Sequence, residues 1–580
     1  MKIRKIPPAA PCHPFPLLIR SILAYSLVLE PEREIVYRDL HRYNYFALNR
    51  RVRQLANVLN GLGLDGGETV AIMDYDSHRY LECYFAVPMT GNVLHMINWR
   101  LSPAQILYTI NHAEDTVLLV NADFLPLVEK FAGEMPSVKK IIVLKDSPAP
   151  AGNTSPSAAS ASSPAAGTPS FATSASSAGA PSASSLPLHG EYEALLAAAP
   201  DQYEFPAFEE DAVATTFYTT GTTGDPKGVY FTHRQLVLHT MSLAGSFGFA
   251  GGTGCRLSSD DVYMPLTPMF HVHAWGFPYL ATLYSMKQVY VGKMEPATIA
   301  GLYAREHPTL SHCVPTVLQM VLKCPEAAQL NLAGWKMVIG GASFPEALAR
   351  AAMERGMDVI SGYGMSETCP VVAISYIRQQ DKDRDRDWQV KARTRTGIPV
   401  AFVDMRIVDE EGETVRTDDK ESGELLIRTP WLTQGYVKDP EKGAELWKGG
   451  WLHTGDVATT DAQQAIKIAD RIKDVIKSGG EWISSIDLEN LIGLHEGIAE
   501  TAVVGMSDAK WGERPYALVV ARPGYTLTID QVREHIRTFI QKGQISKWAM
   551  PEQIEFVDAI PKTSVGKIDK KKIRTNIRLL

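Results

Sequence analysis

Residues 219–228 read Thr-Thr-Gly-Thr-Thr-Gly-Asp-Pro-Lys-Gly, a combination suited to gripping polyphosphate. Gly221 and Gly224 let the backbone approach a phosphate closely, and successive N–H groups can form an anion nest. Thr219, Thr220, Thr222 and Thr223 add hydroxyl donors, and Lys227 adds a point charge. A plain surface turn is the alternative reading. The stretch is not a Walker A loop, which needs Gly-Lys followed by Ser or Thr at the start of a helix. Here Pro226 precedes Lys227 and Gly228 follows it. The apolar runs 213–218 and 228–231 predict that the loop joins two strands.

Three further segments carry chemistry. Gly362-Tyr363-Gly364-Met365-Ser366-Glu367-Thr368 follows an apolar run ending at Ile360, and the carboxyl end of a sheet strand is a common ligand position. Tyr363 can stack on a base and Ser366 can bond a phosphate oxygen. Glu367 can hold Mg2+, which prefers oxygen ligands; read alone, it is equally an exposed loop carboxylate. In Trp451-Leu452-His453-Thr454-Gly455-Asp456, the carboxylate of Asp456 can accept both hydroxyls of a ribose, or bond its own backbone in a turn. Arg471 can reach the same ribose or a phosphate. Pro561-Lys562-Thr563-Ser564-Val565-Gly566-Lys567 places Lys567 after a glycine-bearing turn, where its plain reading is a solvated charge.

Alternating strand and helix patterns must position these groups. Residues 69–96 predict a strand at 69–73, a helix at 77–89 and a strand at 92–96. Residues 116–144 repeat the plan, with strands at 116–120 and 139–144 around a helix at 125–131. Residues 335–363 offer strands at 335–339 and 357–360 and a helix opening at Pro345, whose missing N–H costs little in a first turn. This is an α/β architecture. Near residue 470 the texture changes to a compact α+β pattern. It has strands at 475–476, 501–505 and 516–521, helices at 486–493 and 529–540, and Ser484 with Asp487 as a capping pair. The expected division is a large, multi-subdomain N-terminal domain at 1–470 and a small C-terminal domain at 471–580. Residues 147–186 are almost entirely Ala, Ser, Pro, Gly and Thr. Such a segment cannot offset its ordering entropy by burial, so a disordered insertion without catalytic role is expected.

The chain has 580 residues, too many for one core. Its hydrophobic content of 45% and charged content of 21% are those of an ordinary globular protein. A formal net charge of −7 gives no electrostatic case for nucleic-acid binding. Six scattered cysteines, with no Cys-x-x-Cys pair, fit reduced thiols in the cytoplasm better than disulfides or a zinc site. No signal peptide is evident, and no stretch approaches the roughly 18 apolar residues of a membrane span.

In order and separation, these segments resemble the adenylate-forming superfamily of acyl-CoA synthetases, luciferases and peptide-synthetase adenylation domains. The resemblance runs from Asn98-Trp99-Arg100-Leu101-Ser102 to Lys570. Met269-Phe270-His271-Val272-His273-Ala274-Trp275-Gly276 and Lys477-Ser478-Gly479-Gly480-Glu481-Trp482-Ile483-Ser484 are similar to those of medium-chain fatty acyl-CoA ligases and 3-methylmercaptopropionyl-CoA ligases.

That resemblance implies an ATP-dependent ligase with Mg2+ and coenzyme A. It would form an acyl-adenylate from a carboxylic acid, then a thioester, releasing pyrophosphate and AMP. A medium-chain fatty acid is the expected substrate, with 3-methylmercaptopropionate or an aryl acid as alternatives. By similarity Lys567 neutralises charge between the carboxylate and the α-phosphate. Gly341, Ala342, Ser343, Gly362, Tyr363 and Gly364 line the adenine site with Ile468 nearby, and Asp456 and Arg471 hold the ribose. His271 stands where the acyl and nucleotide pockets meet, and Trp275 is a candidate wall of the acyl tunnel. Lys473 is the hinge of a mobile lid. Lys477, Gly479, Gly480 and Trp482 face the pantetheine arm. Relatives suggest a homodimer. Rival readings are acyl delivery to a carrier or to oxygen, and a non-catalytic nucleotide-binding protein.

Overall fold

The computed structural model describes residues 9, 12, 15–146, 186–219, 225–248, 255–478, 481–508, 510–563 and 567–577. The first two expected units form one sheet. Its seven strands run in the order Leu188–Glu191, Lys140–Leu144, Asp115–Asn121, Thr69–Met73, Val93–Met96, Val213–Thr219, Lys227–Thr232. All neighbours are parallel except the last pair. Helix His78–Met89 begins at Ser77, whose side chain accepts from the Tyr80 N–H. All twelve of its residues are buried, because it touches strands of this sheet and of a second one. A helix sandwiched in this way has no solvent face. Its charged residues are paired inside the protein: Glu82 with Arg51 at 2.7 Å and Arg79 with Asp74 at 2.9 Å.

The second sheet has nine strands, in the order Ile398–Pro399, Val371–Ile374, Asp358–Gly364, Lys336–Ile339, Leu310–Cys313, Val262–Tyr263, Lys287–Tyr290, Glu34–Tyr37, His41–Asn44. Two local expectations are corrected here. The strand expected at 357–360 runs on to Gly364, because Gly362–Gly364 pair antiparallel with Val371–Ile374. Gly364 has no substitute in that pairing, since a Cβ there would lie 1.9 Å from the Pro370 carbonyl oxygen. Pro345 is extended (φ −65°, ψ 135°) and stands just before helix Glu346–Glu354, in the N-cap position without a side-chain cap bond.

Leu186 is buried at 7% among Val128, Phe131 and Ile141. The packed core therefore resumes at Leu186, the last residue of the segment expected at 147–186, and strand Leu188–Glu191 follows. Residues 147–185 lie outside the described residues.

A third sheet carries Asp404–Val408, Gly423–Arg428, Trp447–Lys448, Trp451–Thr460 and Ile466–Arg471. The C-terminal sheet holds Ile476–Ser478, Glu481–Ile483, Ile498–Asp508, Gly512–Ala521 and Gln553–Phe556. Helices Ser485–Gly493 and Ile529–Gln541 close over its core of Ile476, Leu488, Val503, Val519, Val532 and Ile536. Ser484 caps the first of these, accepting from the Asp487 N–H at 3.0 Å. The Asp487 carboxylate pairs with Lys467 at 2.9 Å instead of completing the box. Among the described residues, no helix is long and apolar enough to cross a membrane.

Candidate active site

The expected hairpin is present: Val213–Thr219 pairs antiparallel with Lys227–Thr232, with Thr219 opposite Lys227. Thr220, Gly221, Thr222, Thr223 and Gly224 lie outside the described residues. Lys227 Nζ stands 4.6 Å from the centre of the Tyr436 ring. The Tyr436 hydroxyl donates to Glu367 Oε1 at 2.8 Å. Glu367 and Ser366 share the short turn Ser366–Thr368. That turn is pinned from behind by the fully buried Trp431, whose Nε1–H donates to the Thr368 carbonyl at 3.1 Å. The sequence reading missed Tyr436. Its only local signal is a tyrosine beside Gly435.

A second cluster forms across the third sheet, where Asp456 and Arg471 are register partners. Arg471 Nε lies 3.0 Å from Asp456 Oδ1, and the Tyr363 hydroxyl donates to Asp456 Oδ2 at 2.7 Å. Asp456 is buried while Arg471 is half exposed. Ile468 packs in the same apolar group as Tyr363 and Tyr436. Asp456 is thus tied to a ring and a guanidinium, and is no turn carboxylate serving itself.

The loop after Lys336–Ile339 lies between Lys567 and Trp275. Gly341 has φ +76°, and a Cβ there would meet Val314 Cγ1 at 3.2 Å, Lys567 Cε at 3.3 Å and Trp275 Cζ2 at 3.8 Å. Lys567, from the far end of the chain, therefore lies in the cleft and is no solvated charge. Ala342 and Ser343 are exposed beyond it. Burial and the nearby Arg471 push the Lys567 ammonium down to about 8, against the opposing pull of Asp456 and Glu367. Burial, with Lys567 and Arg100 adding repulsion, pushes His271 down to about 3. His271 is therefore neutral at neutral pH.

Trp275 is held by an unusual backbone. Val272, His273, Ala274 and Trp275 have φ of 49°, 55°, 46° and 61°, and Gly276 follows at 77°. Left-handed residues other than glycine cost about 1–2 kcal/mol each, so the surroundings must hold the turn. His273 Nε2 meets Thr215 Oγ1 at 2.7 Å in the core. The Trp275 ring packs 5.1 Å from His312 and lies across Gly340, where a Cβ would meet its Cη2 at 3.2 Å.

The C-terminal region meets the third sheet through polar contacts. The Ser485 N–H donates to Asp470 Oδ2 at 2.6 Å, and Lys467 pairs with Asp487 at 2.9 Å. Lys473 is exposed in the turn after Ile466–Arg471, where the Asp474 and Val475 N–H groups both donate to the Arg471 carbonyl. Lys477 is exposed and is the register partner of Trp482, and its N–H donates to Glu513 at 3.0 Å. Gly479 and Gly480 lie outside the described residues.

Glu367 fits a hard cation. Among the described residues its carboxylate accepts only from a neutral hydroxyl, leaving a buried, charged oxygen donor. His41, His78 and Glu193 form a separate group of metal-ligating types in the N-terminal core. There Arg51 already occupies both Glu193 oxygens, at 2.9 and 2.8 Å.

Known proteins resemble this chain along nearly its whole length. Residues 26–437 match the AMP-binding enzyme family, and residues 487–567 match the AMP-binding enzyme C-terminal domain. A long-chain-fatty-acid–CoA ligase of Thermus thermophilus is 38% identical over 561 residues, covering 96% of this chain and 94% of that protein. A 3-methylmercaptopropionyl-CoA ligase of Ruegeria lacuscaerulensis is 33% identical over 572 residues, covering 97% and 98%. In fold the chain is similar to the crystal structure of the anthranilate CoA ligase AuaEII with anthranoyl-AMP. The TM-score is 0.79 at 23% identity, over 98% of this chain and 99% of that one.

Proposed function

Because this chain belongs to the AMP-binding enzyme family and is an ATP-dependent acid–CoA ligase, forming an acyl-adenylate and then a thioester, we propose that its acid is a medium-chain fatty acid. Two relatives bracket the length: one takes long-chain fatty acids, the other the short thioether acid 3-methylmercaptopropionate. The observation that carries the reading is Trp275 lying across Gly340 and Gly341 beside Lys567, which limits depth directly behind the reacting carboxylate. AMP release against linear acids of increasing length, with methylmercaptopropionate and benzoate included, tests it. Turnover is expected to peak at medium length; a peak at benzoate or at the thioether acid overturns it. Pocket discrimination of about 1–3 kcal/mol per methylene makes the optimum broad.

The first half-reaction must bring two anions together, so charge neutralisation and positioning dominate. Lys567 takes the place between the acid carboxylate and the α-phosphate, which the closeness of its stem to Gly341 supports. The 219–228 loop, with Lys227, binds the outer phosphates. Asp456 and Arg471 hold the ribose. Gly341, Ala342, Ser343, Gly362, Tyr363, Gly364 and Ile468 line the adenine site, and Ser366 bonds a phosphate oxygen. Glu367 would hold Mg2+, which when bound offsets charge on the departing pyrophosphate. Neutral His271 closes the acyl side without adding a third positive charge. In the second half-reaction residues 471–580 turn about Lys473 relative to 1–470. Lys477, Gly479, Gly480 and Trp482 then face the pantetheine arm of coenzyme A. The polar contacts between the regions support such a movement, because ion pairs and hydroxyls exchange for water at less cost than apolar burial.

A further inference from the structure

We propose that Tyr436 is a positioning residue that fixes the orientation of the Glu367 carboxylate and spaces it from Lys227. This rests on the assignment of Glu367 to Mg2+. Tyr436 is stapled to the phosphate-loop strand. Its backbone bridges Val229, the Val437 N–H donates to the Gly228 carbonyl at 2.8 Å, and Thr433 Oγ1 donates to the Tyr230 carbonyl at 3.1 Å. The two segments lie so close that a Cβ on Gly228 would meet Val437 Cβ at 3.0 Å. From that strand the side chain crosses to a turn of the other large sheet, where its hydroxyl takes Glu367 Oε1 at 2.8 Å. The Thr433 N–H meanwhile donates to the Glu367 carbonyl at 3.0 Å. Among the described residues no other donor reaches the Glu367 side chain. Oε1 is thus committed to a neutral hydroxyl and Oε2 is left for a cation. The ring face lies 4.6 Å from Lys227 Nζ. One tyrosine therefore sets the distance between the lysine of the phosphate loop and the carboxylate on the opposite wall.

The test measures Mn2+ binding to the enzyme–ATP complex by electron paramagnetic resonance, with acid and coenzyme A absent, on the full chain. Tyr436→Phe removes only the hydroxyl, and about a tenfold weaker Mn2+ affinity is expected from one lost hydrogen bond to a charged group. Excess Mg2+ should restore most of its adenylation rate, because the defect lies in loading the cation. Tyr436→Leu also removes the ring, and metal-free ATP should then bind more weakly as well. Glu367→Gln is the control for the underlying assignment. If it weakens Mn2+ binding while Tyr436→Phe and Tyr436→Leu match wild type, the positioning role is refuted and the assignment stands. If Glu367→Gln binds Mn2+ normally, the assignment itself fails. A Tyr436→Phe defect that excess Mg2+ cannot relieve would mark a general structural role and overturn the proposal.

Discussion

Lys567 offers a test whose size follows from its surroundings. Burial and Arg471 lower its ammonium to about 8, with Asp456 and Glu367 pulling the other way. A lowered lysine keeps its charge below that pH and loses it as pH rises through it. For the free enzyme, kcat/KM of adenylation should therefore be flat near neutrality and fall by about tenfold per pH unit above the midpoint. Bound ATP adds negative charge beside the ammonium, so the alkaline limb of kcat should lie at higher pH than that of kcat/KM. Lys567→Arg stays charged throughout and should flatten the limb. Its plateau should be lower, because a stem already 3.3 Å from the would-be Cβ of Gly341 leaves little room for a guanidinium. Lys567→Ala should reduce adenylation by about 100- to 1,000-fold, the usual loss when one preorganised charge-stabilising group is removed. Thioester formation from supplied acyl-adenylate should stay near wild type. The assays are ATP–pyrophosphate exchange for the first step and thioester formation from acyl-adenylate and coenzyme A for the second. An unchanged alkaline limb in Lys567→Arg, or equal loss of both half-reactions in Lys567→Ala, would refute the reasoning.

Three further outcomes concern the framework. Deleting residues 148–184 should leave turnover near wild type; a folded variant without activity would show that the segment takes part. Carrying the deletion through Leu186 should instead lower stability by roughly 2–5 kcal/mol, the cost of emptying a buried leucine site, measured by chemical denaturation. Gly364→Ala should lower stability by about 3 kcal/mol or more, because its Cβ would fall 1.9 Å from the Pro370 carbonyl oxygen. An unchanged melting temperature would disprove that close approach.

Much of the framework was legible because periodicity and punctuation agreed. The strand–helix–strand unit at 69–96 is found within a residue or two of its expected bounds, with Ser77 as its cap. The errors have local causes. Gly362–Gly364 look like a loop, since glycine weakens a strand reading, yet they pair with Val371–Ile374. Leu186 hides at the end of a polar tract and is betrayed only by its burial. The cleft was legible through types that recur in ordered motifs: Lys567, Asp456, Arg471 and Glu367 do share one space. What joins them was not. Tyr436 reaches Glu367 across 69 residues of sequence, and Thr215 reaches His273 across 58, and neither separation carries any periodic signal. The left-handed run at 272–275 was equally hidden, for no propensity favours Val272 or Trp275 at positive φ.

Thr215 and Thr219 belong to one strand. The first braces the turn that carries Trp275, and the second begins the segment proposed to bind phosphate. On the proposed assignments, the acid and nucleotide compartments therefore share one strand. A substitution at Thr215 is then expected to shift acid preference and ATP affinity together.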